Sequence, residues 1–110
     1  MKIGFGDGGL AKLLNDYAAL ETRFGATLAE SVAIRLGVLA AARHVGCLPR
    51  RAPIGLECDD EAQGIFSIDL GSTHRLQFRA VVAKEKRKKL AREKMEEIVV
   101  TGVVEVRPHV

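Results

Sequence analysis

The strongest candidates for anion-binding chemistry in this sequence are two arginines on one predicted strand. Arg75, Gln77 and Arg79 occupy alternate positions, and the residues between them are apolar. In a β-strand this alternation places both guanidinium groups on the face opposite the apolar side chains. Two cations on one strand face indicate a polyanionic partner, although arginines that are merely solvated give the same pattern.

A second group of cations lies in a charged run near the C-terminal end. The segment Lys84–Lys94, KEKRKKLAREK, holds seven Lys or Arg and two Glu, a local charge of +5. Because the whole chain carries +3, the rest of it carries −2, so the basic character arises from this segment. Glu85 and Lys89 are spaced i, i+4, which favours a solvated helical excursion. The alternative is binding to RNA or the ribosome. The candidate RNA-binding residues are Arg79, Lys84, Lys86, Arg87, Lys88 and Lys89.

Length and composition indicate one folded domain. A chain of 110 residues with 47% apolar and 28% charged residues can form a hydrophobic core without disulfide or metal support. Its apolar runs are too short to cross a bilayer and its N-terminal segment lacks a signal-peptide core, so we expect a cytoplasmic protein without membrane contact. Cys47 and Cys58 fit no metal-ligand spacing, and we expect reduced thiols, one or both partly buried. We expect no metal and no cofactor.

The element that must position Arg75 is a predicted β-hairpin, Gly64–Ala80. Its first strand alternates apolar residues with Ser67 and Asp69, and Gly71–Thr73 forms a short polar turn. The second strand returns antiparallel to the first. The apolar face of the hairpin holds Phe66, Ile68, Leu70, Leu76, Phe78, Ala80 and Val82.

Two amphipathic helices are predicted before the hairpin and can cover its apolar face. Apolar residues recur at helical spacing over Leu10–Tyr17, with Asp7 as a candidate N-cap and an end near Phe24. A longer helix follows from Leu28, and we expect it to end at Gly46 in the C′ position.

This order of elements predicts an α+β fold in which two N-terminal helices pack on one face of a small antiparallel sheet. We expect residues 1–110 to form a single domain with a charged insertion at about 83–96. Further strands are predicted at Lys2–Phe5, Ile54–Cys58 and Ile98–Val106. The core should bury Phe66, Ile68, Leu70, Leu76 and Phe78 against Leu13, Leu14, Tyr17, Leu36 and Leu39.

Segments along nearly the whole chain resemble one protein family. These segments are the opening IGF, LAKLLND and FGATLAESVAIRLGVLAAA in the helices, FSIDL and HRLQF in the hairpin, and the closing VEVRPHV. They are similar to the HigB-like branch of the RelE/ParE toxin superfamily, whose members are often labelled plasmid maintenance system killer proteins. The resemblance lies in the order and lengths of the pieces, and it leaves out mainly Lys84–Lys94.

The resemblance implies a toxin of a type II toxin–antitoxin module, a ribosome-dependent endoribonuclease that needs no metal. In that reaction the ribose 2′-OH attacks the adjacent phosphate, which requires a proton acceptor, cations around the phosphorane and a proton donor for the leaving oxygen. Arg75 matches the arginine that the family places on this strand, and Arg107 would add a second cation. His109 matches the histidine near the family's C-terminus and is the candidate general acid or base. The implied partners are mRNA on the ribosome and a helix-turn-helix antitoxin, and a homodimer is expected of the isolated protein.

The sequence departs from this branch in two places that bear on the reaction. Branch members commonly carry histidine and lysine or arginine just before the FSIDL-type strand, whereas Leu56–Gln63 holds four carboxylates, which repel phosphate. Pro108 stands where the family has a tyrosine. Two further hypotheses therefore remain beside the enzyme. One is an inhibitor without chemistry, like the branch that poisons DNA gyrase, and the other is a degenerate toxin that only binds its antitoxin.

Overall fold

The predicted hairpin lies in the interior of a five-stranded sheet. The structure, a computed structural model, describes residues 1–82 and 91–106. The strands are β1 (Lys2–Phe5), β2 (Glu57–Asp60), β3 (Ile65–Asp69), β4 (His74–Ala80) and β5 (Glu97–Glu105). The helices are α1 (Gly8–Leu14), α2 (Tyr17–Phe24) and α3 (Ala26–Ala41), and short 3₁₀ helices cover Val45–Cys47 and Arg92–Lys94. The predicted α+β class, with N-terminal helices packed against the sheet, is confirmed.

The strand order is β1-β5-β4-β3-β2, so β4 occupies the centre. The run from β2 to β5 is antiparallel throughout, as predicted, and β5 pairs beside the hairpin strand β4. β1 adds a parallel pair with β5. A parallel pair needs a long crossover connection, and the three helices between β1 and the meander provide it.

The core lies between the helices and the sheet face that the alternation of residues predicts to be apolar. The apolar hairpin residues from Phe66 to Ala80 join one buried cluster with helix residues Leu14, Leu20, Val32 and Leu39. Tyr17 contradicts the prediction, because 47% of it is exposed to solvent. Its position follows from a break in the first predicted helix.

That break lies at Asn15–Asp16 and divides the predicted first helix into α1 and α2. Asp16 Oδ1 accepts a hydrogen bond from the backbone N–H of Ala19 at 3.2 Å, which makes Asp16 the N-cap of α2. Asp7 caps α1 in the same way, with Oδ1 2.7 Å from the Leu10 nitrogen, as predicted. An aspartate that bonds backbone N–H groups three residues ahead competes with continuation of a helix. Tyr17 therefore begins a new helix and lies outside the apolar stripe of α1.

The end of α3 also differs from the prediction. The helix ends at Ala41 with Ala42 as C-cap, and Gly46 lies in the following 3₁₀ helix and not at a C′ position. The backbone nitrogen of Met1 donates to the carbonyl of Ala40 at 3.0 Å and also to that of Ala42. These contacts satisfy carbonyl groups at the helix end, so α3 needs no glycine cap.

Replacing Asp16 by alanine is expected to lower the free energy of unfolding by about 1 kcal/mol, because the first turn of α2 loses its side-chain acceptor. Asp16→Asn is the matched control, since asparagine caps a helix about as well as aspartate. Urea denaturation followed by circular dichroism measures both variants. Equal stability of the alanine and asparagine variants would contradict the assigned cap.

Candidate functional site

Arg75 is the predicted site residue that the structure describes in most detail. It lies on β4 opposite Asp69 of β3 and Val104 of β5, on the sheet face away from the helices. The prediction of an open position is corrected, because only 15% of its side chain is exposed. Residues 53–56, just before β2, lie beside this end of β3, and their Gly55 carbonyl contacts the Arg75 guanidinium. We call residues 53–56 the covering segment.

The guanidinium group of Arg75 is bound by oxygen atoms of the protein itself. Nε donates to Ser67 Oγ at 2.8 Å, and Nη2 donates to the carbonyl oxygens of Gly55 at 2.6 Å and Ser67 at 3.0 Å. Arginine carries five N–H donors, and three of these have acceptors here. Ser67, predicted on the open face, is only 1% exposed because it lies beneath this group.

Two carboxylates also lie within 4 Å of the guanidinium. Asp69 Oδ1 is 3.9 Å from Nη1, and Glu57 Oε2 is 3.8 Å from Nε. We call Gly55, Glu57, Ser67, Asp69 and Arg75 the Arg75 site. A phosphate that approached Arg75 would compete with five oxygen atoms already around it, and two of these belong to anions. These contacts indicate that Arg75 stabilises the fold here, because its surroundings disfavour the binding of an added phosphate.

The covering segment is held by a second arginine that sequence reasoning missed. Arg35 of α3 donates from Nε to the carbonyl of Asp69 at 2.8 Å and from Nη2 to that of Pro53 at 3.2 Å. The Asp69 nitrogen in turn donates to the carbonyl of Ile54 at 2.7 Å. A usable signal was present, since Arg35 lies three residues after buried Val32 and so interrupts the apolar stripe of its helix.

The segment consequently does not form the strand predicted at Ile54–Cys58. Ile54 lies in a turn and is buried, Gly55 has φ +59°, and pairing with β3 begins only at Glu57. The positive φ of Gly55 takes the chain out of extended geometry, and a glycine accepts this without steric cost. This turn brings the Gly55 carbonyl to Arg75.

The rest of this sheet face is less covered and carries few charges. Thr101 Oγ1 donates to Gln77 Oε1 at 3.1 Å across β4 and β5. Arg79 lies half-buried between Ile65 and Val99. Within the part of the chain that the structure describes, Arg79 forms neither a hydrogen bond nor an ion pair. Of this pair, Arg79 is therefore the arginine whose donors no described residue engages.

The other predicted catalytic and RNA-binding residues cannot be placed beside Arg75. Arg107 and His109 lie outside the described residues, as do Lys84, Lys86, Arg87, Lys88 and Lys89. The last described residue, Val106, donates its N–H to the carbonyl of Thr73 at 2.8 Å. Thus the closing strand follows β4 up to the hairpin turn.

The contacts of the described His74 and Cys47 side chains lie outside the Arg75 site. His74 Nδ1 is 2.7 Å from Thr73 Oγ1, and its ring meets Phe24 edge-on at 6.4 Å. Cys47 and Cys58 are free and both exposed, so the prediction of partial burial is wrong. Across residues 1–82 and 91–106, no three His, Cys, Asp or Glu side chains come together as metal ligands.

No helix in the described ranges is long and apolar enough to cross a membrane. Comparisons of the chain with protein-family models, with curated proteins and with solved structures find no match.

Proposed function

We propose that the protein is a RelE/ParE-like toxin homologue that acts by binding a partner protein and does not cut RNA. Support for the family comes from the order of its elements. An opening strand, N-terminal helices, a hairpin and a closing strand beside that hairpin follow one another as the HigB-like resemblance implies. In this proposal the protein is a cytoplasmic member of a toxin–antitoxin module.

The observation that carries the binding role is the environment of Arg75. A catalytic arginine must present free donors where charge develops in the transition state. Here three donors are bound to Gly55 and Ser67, and two carboxylates lie within 4 Å of the same group. We therefore assign Arg75 to holding the covering segment on the sheet.

The proposed partner is the helix-turn-helix antitoxin, and a sheet edge is the place where it can dock. The strand order leaves β1 and β2 at the two edges. All four residues of β2 are exposed, and three of them are acidic. An extended segment can add to such an edge through backbone hydrogen bonds, with side-chain charge setting the partner. The β2 edge favours a segment rich in Lys or Arg.

The endoribonuclease remains the second candidate because of the β4–β5 pairing. Val104 lies opposite Arg75, and the N–H of Val106 donates to the carbonyl of Thr73, the last residue of the hairpin turn. Arg107 and His109 follow directly in the sequence. This candidate would require a substrate phosphate to displace the oxygens now bound to Arg75.

Co-expression with the product of the adjacent gene tests the binding proposal. We expect a small helix-turn-helix protein that co-purifies with this chain in a fixed ratio, while cellular mRNA stays intact. Reversal of acidic charge at the β2 edge, with Asp59→Lys and Asp60→Lys together, should weaken the complex. Glu30→Lys on α3 is the control for a charge change at an exposed site elsewhere. Accumulation of mRNA fragments without any complex would contradict the proposal.

A further inference from the structure

A cleft near the end of the charged run contains two arginines that the proposed function does not use. It has a volume of about 450 Å³ and lies between the segment after Val45–Cys47 and the 3₁₀ helix Arg92–Lys94. An adjoining space of about 350 Å³ extends it toward β2. Arg50, Leu56 and Arg92 line both parts. We call this the Arg50–Arg92 cleft.

Within the described residues neither Arg50 nor Arg92 forms a hydrogen bond or an ion pair. Glu93 and Glu57 lie at the two ends of the cleft, and Glu57 is the carboxylate near Arg75. Unlike Arg75, these two guanidinium groups have no acceptor among the described residues, and a guanidinium in that condition suits bidentate binding of an anion.

Arg92 also offers a flat surface that is already held in place. Its guanidinium carbon lies 5.2 Å from the centroid of the Phe66 ring, whose side chain belongs to the core. A guanidinium resting on an aromatic ring is attracted by the ring's quadrupole. Its opposite face can stack on a nucleobase, as arginine planes do in single-stranded nucleic-acid sites. The floor beside it is apolar, because Leu48 and Leu56 are buried there.

From these features we infer that the Arg50–Arg92 cleft binds a nucleoside phosphate. Arg50 holds the phosphate, Arg92 stacks on the base, and the carboxylate of Glu93 accepts a hydrogen bond from an exocyclic amino group. The volume suits a ligand of this size. An acidic peptide fits less well, because carboxylate side chains offer no planar base to stack on the Arg92 guanidinium. The site shares only Glu57 with the Arg75 site.

The cleft contains its own reporter, because Cys58 lines it and is exposed. Cys47 is also exposed, does not line the cleft, and contacts His44 through Sγ at 3.4 Å from Nε2. Alkylation of both cysteines by N-ethylmaleimide can be followed by peptide mass spectrometry. The probes are CMP, a single-stranded oligocytidylate and a hexaglutamate peptide.

We expect CMP or oligocytidylate, at about ten times its Kd, to slow alkylation of Cys58 by about tenfold and to leave Cys47 unchanged. If CMP protects Cys58, a free nucleotide is enough to occupy the cleft. If only oligocytidylate protects it, the natural ligand is a single-stranded nucleic acid. The Arg50→Gln/Arg92→Gln variant should lose the protection. Arg92→Lys keeps the positive charge but removes the planar group that stacks on the base. This variant should therefore show weaker protection of Cys58. Arg23, which lies 5.9 Å from the Phe24 ring but does not line this cleft, supplies the matched control Arg23→Gln.

The inference is overturned if neither CMP nor oligocytidylate protects Cys58, or if only hexaglutamate does so. It is also overturned if protection persists in the Arg50→Gln/Arg92→Gln variant. None of these outcomes depends on Arg75 or on RNA cleavage, so failure here is distinct from failure of the proposed function.

Discussion

Arg75→Ala is expected to lower the free energy of unfolding by about 3 kcal/mol, in the range for loss of several hydrogen bonds to a charged group. The substitution leaves Ser67 Oγ and the carbonyls of Ser67 and Gly55 without their donor. Since Ser67 is only 1% exposed, water cannot replace that donor without local opening. Asp69 and Glu57 would also lose the cation beside them. Urea denaturation followed by circular dichroism measures the loss.

Arg79→Ala is the matched control, because Arg79 occupies the same face of the same strand. It has no hydrogen bond or ion pair within the described residues. We expect its removal to change stability by less than about 0.5 kcal/mol, as at an ordinary surface site. Similar losses for the two alanine variants would show that Arg75 does not hold the covering segment.

Phe78→Ala should lower the free energy of unfolding by about 4 kcal/mol, because removal of this large core side chain leaves a cavity. Phe78 is fully buried on β4, and its ring stacks on Phe66 with centroids 5.8 Å apart and planes inclined by 16°. Because β4 is the central strand, the cavity would lie in the middle of the core. Thermal or urea unfolding of the purified variant gives the value.

Tyr17→Ala distinguishes the observed core from the one expected from helical periodicity. That periodicity places Tyr17 beside Leu13 and Leu14, whereas the structure leaves 47% of it exposed at the start of α2. We expect Tyr17→Ala to lower the free energy of unfolding by less than about 1 kcal/mol, because large destabilisation comes mostly from substitution of buried side chains. A loss as large as that of Phe78→Ala would contradict the break at Asp16.

The sheet could largely be predicted from the sequence because its signals are local. Alternation over Gly64–Ala80 correctly assigns Phe66, Ile68, Leu76 and Phe78 to the core face. The β-branched run after Ile98 correctly predicts a strand, and this strand, β5, has neighbours on both sides. Residue type and spacing are sufficient for these features.

The chemistry of the Arg75 site could not be predicted in the same way. Alternation gives the face on which Arg75 lies, but its exposure depends on a segment about twenty residues earlier in the chain, whose Gly55 carbonyl contacts the guanidinium. The path of that segment depends on the positive φ of Gly55 and on Arg35 of α3. These are tertiary contacts, and strand periodicity carries no information about them.

The predicted helix boundaries were wrong for a related reason. Apolar spacing continues through Leu14 to Tyr17, but the side chain of Asp16 caps a new helix there. Gly46 looks like a helix terminator, yet α3 ends earlier and its last carbonyls are bonded to the Met1 nitrogen. In both cases a specific hydrogen bond overrode a periodic pattern.

The most direct test of the binding role is cleavage of a defined mRNA on translating ribosomes by the purified protein, with 5′ ends mapped by primer extension. Because the donors of Arg75 are bound to Ser67 and Gly55, we predict that the mRNA remains full length at any molar ratio of this protein to ribosomes up to one. Discrete cuts at the codon in the ribosomal A site would contradict the account, provided that an Arg75→Gln protein shown to be folded by circular dichroism no longer makes them.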